Sequence, residues 1–436
     1  MRKAVLAGLI LFAGAVAFGQ SISSKQDIAI FRLSYYDLNI PASALAQVDQ
    51  RIEGVFVNIG RFNVIGMNYR LSESDIVDFI AKLKELKQAQ TPVPKEFSLG
   101  KEAFTEADLN RLIGSFVIVV PVLTSYSLQY EQSTGYTAEL ETSFSYISAQ
   151  TSTSIAQFSI RTIGVGQTAS DAARDAASAI SGQLVYQIRT IPEFQLKTGV
   201  IDVNGSTVLI ELGRNMGVRL GDEYAIITSR LLPSGYTVSD RTGLLIVKAV
   251  NDDISYAQVI YSAKPPQIGD QLKEVPRIGF ESSFYSHLIL ASEVLGSTYA
   301  PVVTLGIMQT LTRGFYNFRP LVGAEIPLSA GSIGGATSYG NGGLPVNLFL
   351  GGQLNWRFWR FDLAPLAAVG IGGAVPSSSQ QSFYVSIAGG LAQLTLSYLI
   401  SPEVKLFADA GFEQWLPISL DGWGGFYGGL GVSINY

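Results

Sequence analysis

The sequence contains no cysteine, and histidine occurs once among its 436 residues. The lack of cysteine excludes disulfides, thiolate nucleophiles and every zinc or iron–sulfur site that depends on sulfur ligands. Carboxylates and carbonyls would have to supply almost all the ligands of any metal site. We therefore predict no metal site and no cofactor.

Long basic runs are also missing. The net charge is −5 and the isoelectric point is about 5.2, so the sequence lacks the electrostatic footprint of a nucleic-acid-binding protein. Beyond the first 20 residues, no apolar run is long enough for a membrane-spanning helix, which requires about 20 apolar residues. A membrane protein with this sequence would have to cross the bilayer as a β-barrel.

The first residues, MRKAVLAGLILFAGAVAFGQ, have the pattern of a secretory signal peptide. Arg2 and Lys3 precede an apolar run, which ends in the small-residue pattern AVAFG before Gln20. The run is shorter than a membrane anchor requires. We predict a signal peptide at 1–19 and export of the rest of the chain.

The composition changes sharply in the last part of the chain. Residues 277–436 hold 25 of the 45 glycines but only 14 Asp, Glu, Lys and Arg side chains. Most of the strands predicted there can cross a bilayer at a tilt, which takes about 9–11 residues. These strands lie near 278–289, 300–311, 315–328, 345–358, 360–373, 383–400, 403–415 and 424–436. The prediction is an eight-stranded antiparallel transmembrane β-barrel.

Side chains in these segments alternate between apolar and polar. In NLFLGGQLNWRF, for example, Leu348 and Leu350 face one way while Asn347 faces the other. A soluble lipocalin-type barrel would be polar outside, whereas here the apolar face is the outer one. Charges of both signs in a narrow eight-stranded lumen predict a plugged barrel. The predicted inward charges are Glu281, Arg319, Glu325, Arg357, Asp362, Lys405, Asp409 and Glu413.

The predicted connections alternate in length. Those at 312–313, at Trp359 and at 401–402 are very short, whereas the opposite end includes the long segment 329–343. Short periplasmic turns and longer extracellular loops are typical of outer-membrane barrels. This pattern predicts an outer-membrane protein in contact with lipid, with residues 20–276 in the periplasm.

Two local details are predicted inside the barrel. The sixth segment changes its alternation around Gly389 and Gly390, which indicates a β-bulge. Tyr316 is expected on the apolar, outward face of the third segment together with Phe318.

The last strand, GGFYGGLGVSINY, ends on an aromatic residue. Its apolar face consists of Phe426, Leu430, Val432, Ile434 and Tyr436. The terminal aromatic resembles the C-terminal signal that the outer-membrane barrel assembly machinery recognises, so this machinery is an expected partner. Residues 277–436 as a whole resemble, in their pattern, the small outer-membrane barrels of the OmpA and OmpX type.

Residues 20–193 have the pattern of an αβ domain. A helix precedes the strand RFNVIG, three β-rich runs follow a linker, and an alanine-rich helix spans about 169–188. The helix SESDIVDFIAKLKELK starts with Ser72 as N-cap and Asp75 at the capping-box position. This order resembles the periplasmic domains of CsgG, TolB and FlgT, which implies a partner in an envelope assembly. The lipidated cysteine of CsgG has no counterpart here.

Residues 194–276 are predicted to form a small all-β module. Gly221–Asp222 and Gly269–Asp270 each precede a strand with apolar alternation, which indicates tight turns in a small β-barrel. The pattern resembles the C-terminal domain of FlgT, and such modules serve as contact surfaces.

Two other hypotheses concern catalysis or ligand binding. GVGQTA at 164–169 fits a dinucleotide fingerprint, but the strand before it alternates where a Rossmann strand is continuously apolar. His287 could serve a lipid-modifying enzyme at the barrel rim, with Ser286, Ser292 or Ser297 as nucleophile. Neither hypothesis has further support in the sequence, so we predict a non-enzymatic protein without catalytic residues.

The predicted fold class is an α+β periplasmic region, made of an αβ domain and a small β-barrel module, followed by an eight-stranded antiparallel transmembrane β-barrel. The leading functional hypothesis is a barrel that anchors a partner-binding periplasmic region of an envelope, secretion or flagellar-type assembly. A transport channel is the main alternative, and it requires oligomerisation or a wider lumen. The sequence does not identify the periplasmic partner.

Overall fold

In the computed structural model, the chain forms an N-terminal αβ domain, a small β-barrel and a large β-barrel, in this order. These parts are called the N-terminal domain, the module and the barrel. The signal peptide predicted at 1–19 and the long segment 329–343 lie outside the described residues. The structure describes residues 22–35, 40–88, 94–99, 102–292, 301–328, 344–375, 384–418 and 423–436.

The N-terminal domain consists of β1 (Gln26–Phe31), β2 (Ser34–Tyr35), α1 (Ala42–Asn58), β3 (Phe62–Met67), α2 (Glu73–Gln88), β4 (Glu96–Leu99), β5 (Glu102–Thr105), α3 (Glu106–Gly114), β6 (Val117–Glu131), β7 (Gly135–Ser148), β8 (Thr153–Gly166) and α4 (Ala169–Thr190). Its main sheet has the order β3-β1-β6-β7-β8, and β2 also pairs with β6. β1 lies parallel to both of its neighbours, whereas β6, β7 and β8 are antiparallel. β4 and β5 form a separate hairpin.

Helices cover both faces of this sheet. α1 contributes Leu45, Val48 and Ile52, at the spacing of one helix face, to the same core as α4. α2 and α3 pack on the opposite face. Ser72 and Asp75 form the predicted capping box, because the backbone N–H of each donates to the side chain of the other. Among the described residues, no helix is long and apolar enough to span a membrane.

β8 and α4 approach each other closely at Gly164 and Gly166. A Cβ atom on Gly164 would lie 2.0 Å from the backbone nitrogen of Ala176, and one on Gly166 would lie 2.5 Å from that of Ala172. The side chain of Thr168 caps the first turn of the helix. The glycines of GVGQTA are therefore explained by the packing of an antiparallel edge strand against a helix, not by a phosphate-binding loop.

The module consists of β9 (Lys197–Asn204), β10 (Thr207–Ile210), a 3-10 turn (Arg214–Met216), β11 (Glu223–Leu231), β12 (Thr237–Val250), β13 (Ser255–Ser262) and β14 (Gln271–Val275). The order β10-β13-β12-β11-β14-β9 closes through the pairing of β9 with β10. Gly221 and Gly269 have φ angles of +79° and +96°, which favour glycine. Asp222 and Asp270 accept 2.8 Å hydrogen bonds from backbone N–H groups three residues earlier. Both Gly-Asp pairs therefore form tight turns.

The barrel consists of β15 (Phe280–Ser292), β16 (Val302–Leu311), β17 (Phe318–Pro327), β18 (Leu344–Leu354), β19 (Trp356–Phe358), β20 (Phe361–Val375), β21 (Tyr384–Leu399), β22 (Val404–Pro417) and β23 (Trp423–Asn435). β18 and β19 form one strand interrupted at Asn355, since both pair with β20. The pairing of β15 with β23 closes the barrel. It therefore has eight antiparallel strands, and the predicted fold class is confirmed.

The outer face of the barrel is apolar along its strands. Outward side chains alternate with buried ones, as in β22, where Leu406 is exposed and Phe407 is buried. An apolar outer face on a closed barrel is typical of membrane-spanning barrels, because lipid replaces water as the surrounding solvent. Exposed examples from the other strands are Leu288, Leu305, Val322, Leu350, Val369, Leu394 and Leu430.

Two local predictions are wrong. The register shift in β21 lies at Ser386, whereas Gly389 and Gly390 pair regularly with β20. Glycines obscured the alternation there because they have no side chain to mark a face. Tyr316 is not outward-facing, since it precedes β17 and its hydroxyl forms a hydrogen bond with Gln258 of the module.

The module docks on the short-turn end of the barrel. The Gly314 N–H donates a 2.7 Å hydrogen bond to the carbonyl of Leu220. A Cβ atom on Gly221 would lie 2.2 Å from the carbonyl oxygen of Thr312. Backbone segments this close leave no room for a side chain. Gly221 is therefore a contact point between the module and the barrel as well as a turn residue.

We expect Gly221→Ala to loosen the module from the barrel, because the added methyl group collides with the Thr312 carbonyl. The matched control is Gly235→Ala, which has a similar φ of +81° but no atom within 4 Å of the added Cβ. Either alanine costs about 1–2 kcal/mol in the left-handed conformation. Hydrogen exchange of the intact protein in detergent should rise at 312–317 in the Gly221 variant alone. Equal exchange in the two variants would contradict the contact.

Candidate functional site

The lumen of the barrel contains all eight charges that were predicted to face inward. None of these side chains is more than 14% exposed. They form two groups, which we call the ionic cluster and the acidic group. The ionic cluster, at the module end, consists of Glu281, Arg319, Arg357, Asp362 and Lys405. The acidic group, deeper in the lumen, consists of Glu325, Asp409 and Glu413.

In the ionic cluster every charge has a partner of opposite sign. Lys405 Nζ lies 2.8 Å from Glu281 and 2.9 Å from Asp362. Arg319 lies 3.6 Å from Glu281, and Arg357 lies 3.7 Å from Asp362. The cavity between this cluster and the module has a volume of only about 30 Å³, the space of roughly one water molecule. The cluster therefore blocks the lumen at this end.

Apolar side chains fill the lumen beyond the ionic cluster. An eight-stranded interior is just wide enough for such a filling. One layer consists of Tyr285, Met308, Leu321, Phe349, Leu366, Ala368, Leu391 and Phe407. A second layer, nearer the opposite end, consists of Ile289, Val302, Ile387, Trp415, Trp423 and Tyr427. The described part of the lumen is therefore packed with side chains.

The module covers the mouth of the barrel. Leu244, Ile246 and Ile260 of the module share an apolar cluster with Leu399 at the end of β21. The side chain of Gln258 donates a 3.0 Å hydrogen bond to the backbone carbonyl of Arg357. A solute that left the lumen at this end would therefore meet the packed surface of the module.

A buried network of arginines and carboxylates joins the three parts of the chain. Glu274 of the module accepts hydrogen bonds of 2.7 and 2.8 Å from Arg61, and one of 2.7 Å from Arg189. Both arginines belong to the N-terminal domain. We call this network the junction network; its members are Arg61, Arg189, Asp222, Glu223, Glu274, Arg277 and Arg313.

The junction network continues into the barrel. Asp222 of the module accepts hydrogen bonds from Arg189 at 3.1 Å and from Arg313 at 2.8 Å. Arg277 donates to Glu223 at 2.9 Å and to a backbone carbonyl of the β21–β22 turn at 2.7 Å. Arg189 thus lies between carboxylates of the module. The arginines next to the barrel donate further hydrogen bonds to carboxylates of the module. Charge pairing fixes the N-terminal domain, the module and the barrel to one another.

Ion pairing also determines the direction of the pKa shifts of Glu274 and Arg189 in the junction network. Burial alone would raise the pKa of the Glu274 carboxyl, but Arg61 and Arg189 outweigh burial and lower this pKa from 4.5 to about 2. Burial would lower the pKa of Arg189, but Glu274 and Asp222 raise it. Glu274 and Arg189 therefore stay charged at neutral pH.

The sequence alone does not predict the junction network, although it contains two signals of buried charge. Glu274 lies on the same side of β14 as the buried Leu272. Arg189 belongs to the buried side of α4, together with Leu184 and Ile188. A charged residue on a buried face requires a partner. The sequence does not show where that partner lies.

His287 lies in the lumen and not at an exposed rim. Its side chain is 1% exposed, whereas Ser286 is on the outward face of β15. The side chains of Ser292 and Ser297 lie outside the described residues. Ser286 therefore cannot act as the nucleophile that the rim-enzyme hypothesis requires.

The last strand presents its apolar face to the outside. Phe426, Leu430 and Tyr436 are exposed, and Val432 and Ile434 are partly exposed. Tyr436 belongs to a ring of outward aromatic residues at the module end of the barrel. Such girdles are typical of the interface between membrane and water. The other members of the ring are Phe280, Phe318, Trp356, Phe358, Phe361 and Tyr398.

No model of a known protein family matches the chain, and no curated protein matches it. The solved structures similar to it include neisserial surface protein A, with 14% identity over 36% of this chain and 97% of that chain and a TM-score of 0.28. The lipoprotein GNA1162 from Neisseria meningitidis has 10% identity over 37% and 94%, with a TM-score of 0.21. A major outer membrane protein from Thermus thermophilus has 12% identity over 36% and 99%, with a TM-score of 0.19.

All three TM-scores are below 0.5, so the class of the protein is inferred from its own barrel. That barrel is closed, has an even number of antiparallel strands, is apolar outside and carries an aromatic ring at one end. These properties define a β-barrel protein of the outer-membrane type. The resemblance of the N-terminal domain to CsgG, TolB and FlgT stays a prediction.

Glu274→Gln should weaken the attachment of the N-terminal domain and remove much of its acid sensitivity. Because the folded pKa of about 2 lies below the usual 4.5, the carboxylate contributes stability above pH 4.5 that is lost as the pH falls towards 2. The shift corresponds to about 3 kcal/mol. Near-UV circular dichroism of the intact protein against pH measures this loss.

The control is Glu139→Gln, which removes an exposed ion pair with Arg161 and should change the pH profile little. A wild-type signal that stayed constant as the pH fell from 4.5 to 2 would contradict the role assigned to Glu274.

Proposed function

We propose that the protein is an outer-membrane anchor whose plugged barrel holds a periplasmic, partner-binding region at the inner surface of the outer membrane. The observation that carries this proposal is the closure of the barrel at the module end. The ionic cluster blocks the lumen there, and the module covers the mouth. A barrel closed in this way leaves no space for the passage of a solute, but its apolar outer face still anchors it in lipid.

The lengths of the connections support the proposed orientation. The module docks on the end with the short turns, such as the connection between Phe358 and Phe361. In outer-membrane barrels short turns face the periplasm. This supports the proposal that residues 20–276 lie in the periplasm, with the aromatic ring at this end at the inner interface of the bilayer.

The partner is proposed to be a protein of an envelope, secretion or flagellar-type assembly. The edge strand β8 of the N-terminal domain exposes Ile163 and Val165, which are 57% and 52% accessible. An exposed strand edge with apolar side chains is a common place for pairing with another chain. The proposal includes no cofactor and no enzymatic activity.

Planar-bilayer recording of the refolded full-length protein tests the closure of the barrel. We expect no stepped conductance from protein that is shown to be folded by its heat-modifiable mobility in gels. Stepped openings that recur in independent preparations would contradict the anchor proposal and favour the alternative, a transport channel.

Site-specific crosslinking in intact cells tests the partner. A photoreactive side chain at Ile163 or Val165 should capture a protein, whereas the same group at the lipid-facing Leu350 should capture none specifically. Failure of both β8 positions to form any protein adduct would count against a partner on this edge.

The barrel assembly machinery is the second proposed partner, through the face formed by Phe426, Leu430 and Tyr436. Tyr436→Ala should reduce the amount of folded barrel in the outer membrane several-fold, while refolding in detergent is unchanged. Leu350→Ala, which truncates another lipid-facing side chain, serves as the control. Equal membrane levels of the two variants would show that Tyr436 has no special part in assembly.

A further inference from the structure

Three side chains from different strands meet in the middle of the lumen. His287 on β15, Glu325 on β17 and Glu413 on β22 each offer one ligand atom, and these atoms lie within 4.8 Å of one another. The exposed fractions of the three residues are 1%, 1% and 0%. The three strands are distant in sequence, so only closure of the barrel brings these groups together.

The imidazole of His287 is held in a fixed orientation. Its ring is stacked between those of Tyr285 and Tyr427, at centroid distances of 4.4 and 4.3 Å. Nε2 lies 3.3 Å from the carboxylate of Asp409, whereas Nδ1 is buried and has no hydrogen-bond partner in the part of the barrel that the structure describes. With Nε2 donating to Asp409, the lone pair of Nδ1 is free. A metal-binding histidine has this arrangement, in which the other ring nitrogen donates to a carboxylate.

Two carboxylates of the acidic group, those of Glu325 and Glu413, have no lysine or arginine partner among the described residues. Among the described residues, no hydrogen-bond partner reaches either buried carboxylate oxygen of Glu413, and Glu325 has weak contacts of 3.4 Å with the Tyr285 hydroxyl and 3.2 Å with the Asn347 amide. In the part of the chain that the structure describes, no ion pair joins Glu325 or Glu413 to a lysine or arginine. An uncompensated buried carboxylate costs several kcal/mol, so the group requires a positive charge or a proton.

We infer that His287, Glu325 and Glu413 bind a divalent transition-metal cation inside the barrel, and that Asp409 positions His287. One imidazole nitrogen and two carboxylates suit Zn²⁺, Mn²⁺ or Fe²⁺, whereas the absence of sulfur disfavours Cu⁺. Ligands at about 2.0–2.2 Å from one tetrahedral ion lie about 3.4 Å apart, so the three groups, now within 4.8 Å of one another, need to approach by up to about 1.4 Å. The inference is independent of the proposed function.

Such an ion would be structural. It would connect β15, β17 and β22 across the lumen and neutralise the negative charge of the buried carboxylates on β17 and β22. The competing arrangement is a proton shared by Glu325 and Glu413 without any metal, and the experiment separates the two.

The test uses the folded full-length protein, stripped with chelator and titrated with Zn²⁺ or Mn²⁺ alone. We expect one ion per barrel by elemental analysis after desalting, and a rise in the melting temperature with added metal. Co²⁺ should give visible absorption bands that report bound imidazole and carboxylate. Glu413→Gln should abolish the bands and the thermal shift, whereas Glu403→Gln, which changes an exposed carboxylate in the β21–β22 turn, should keep both.

The variant Asp409→Asn distinguishes a role of Asp409 in orienting His287 from a role in packing the lumen. It preserves the size of the side chain but weakens the acceptor for His287, so the metal affinity should fall by about 10–100-fold while the barrel stays folded. Absence of bound metal in folded wild-type protein would overturn the inference and favour the shared proton. Equal binding by the wild type and Glu413→Gln would overturn it as well, because the ion would then lie elsewhere.

Discussion

The junction network is the interaction on which the arrangement of the three parts depends. Each of its carboxylates is buried against an arginine, and Arg189 bridges two of them. Removing one partner from a buried ion pair costs about 3–5 kcal/mol, so no part can separate without leaving charges unpaired. Apolar contacts alone would tolerate sliding between the parts. Directional hydrogen bonds between charged groups select one docking geometry.

This geometry links the membrane to the N-terminal domain. The apolar outer face holds the barrel in lipid. Through the module, the junction network fixes the position of the N-terminal domain relative to the barrel. The same docking brings Leu244 and Ile260 under the lumen, where the ionic cluster already leaves little space. The junction network therefore attaches the N-terminal domain and also holds the module against the mouth of the barrel, which the ionic cluster blocks from inside.

Local signals were sufficient to predict the barrel from sequence. Apolar and polar residues alternate with period two, and the inward charges follow directly from that alternation. The register shift at Ser386 was misplaced because nearby glycines carry no side chain. The junction network could not be predicted, since Arg61 and Glu274 are 213 positions apart. A single sequence shows that a charge is on a buried face, but not which distant charge pairs with it.

Distance measurement between spin labels on the N-terminal domain and the barrel tests the rigid attachment most directly. Because the chain has no cysteine, cysteines introduced at the exposed positions Val57 and Leu350 carry labels at defined places. A single narrow distance distribution is predicted for the intact protein in lipid. A broad distribution would show an N-terminal domain that is only loosely tethered and would contradict the account.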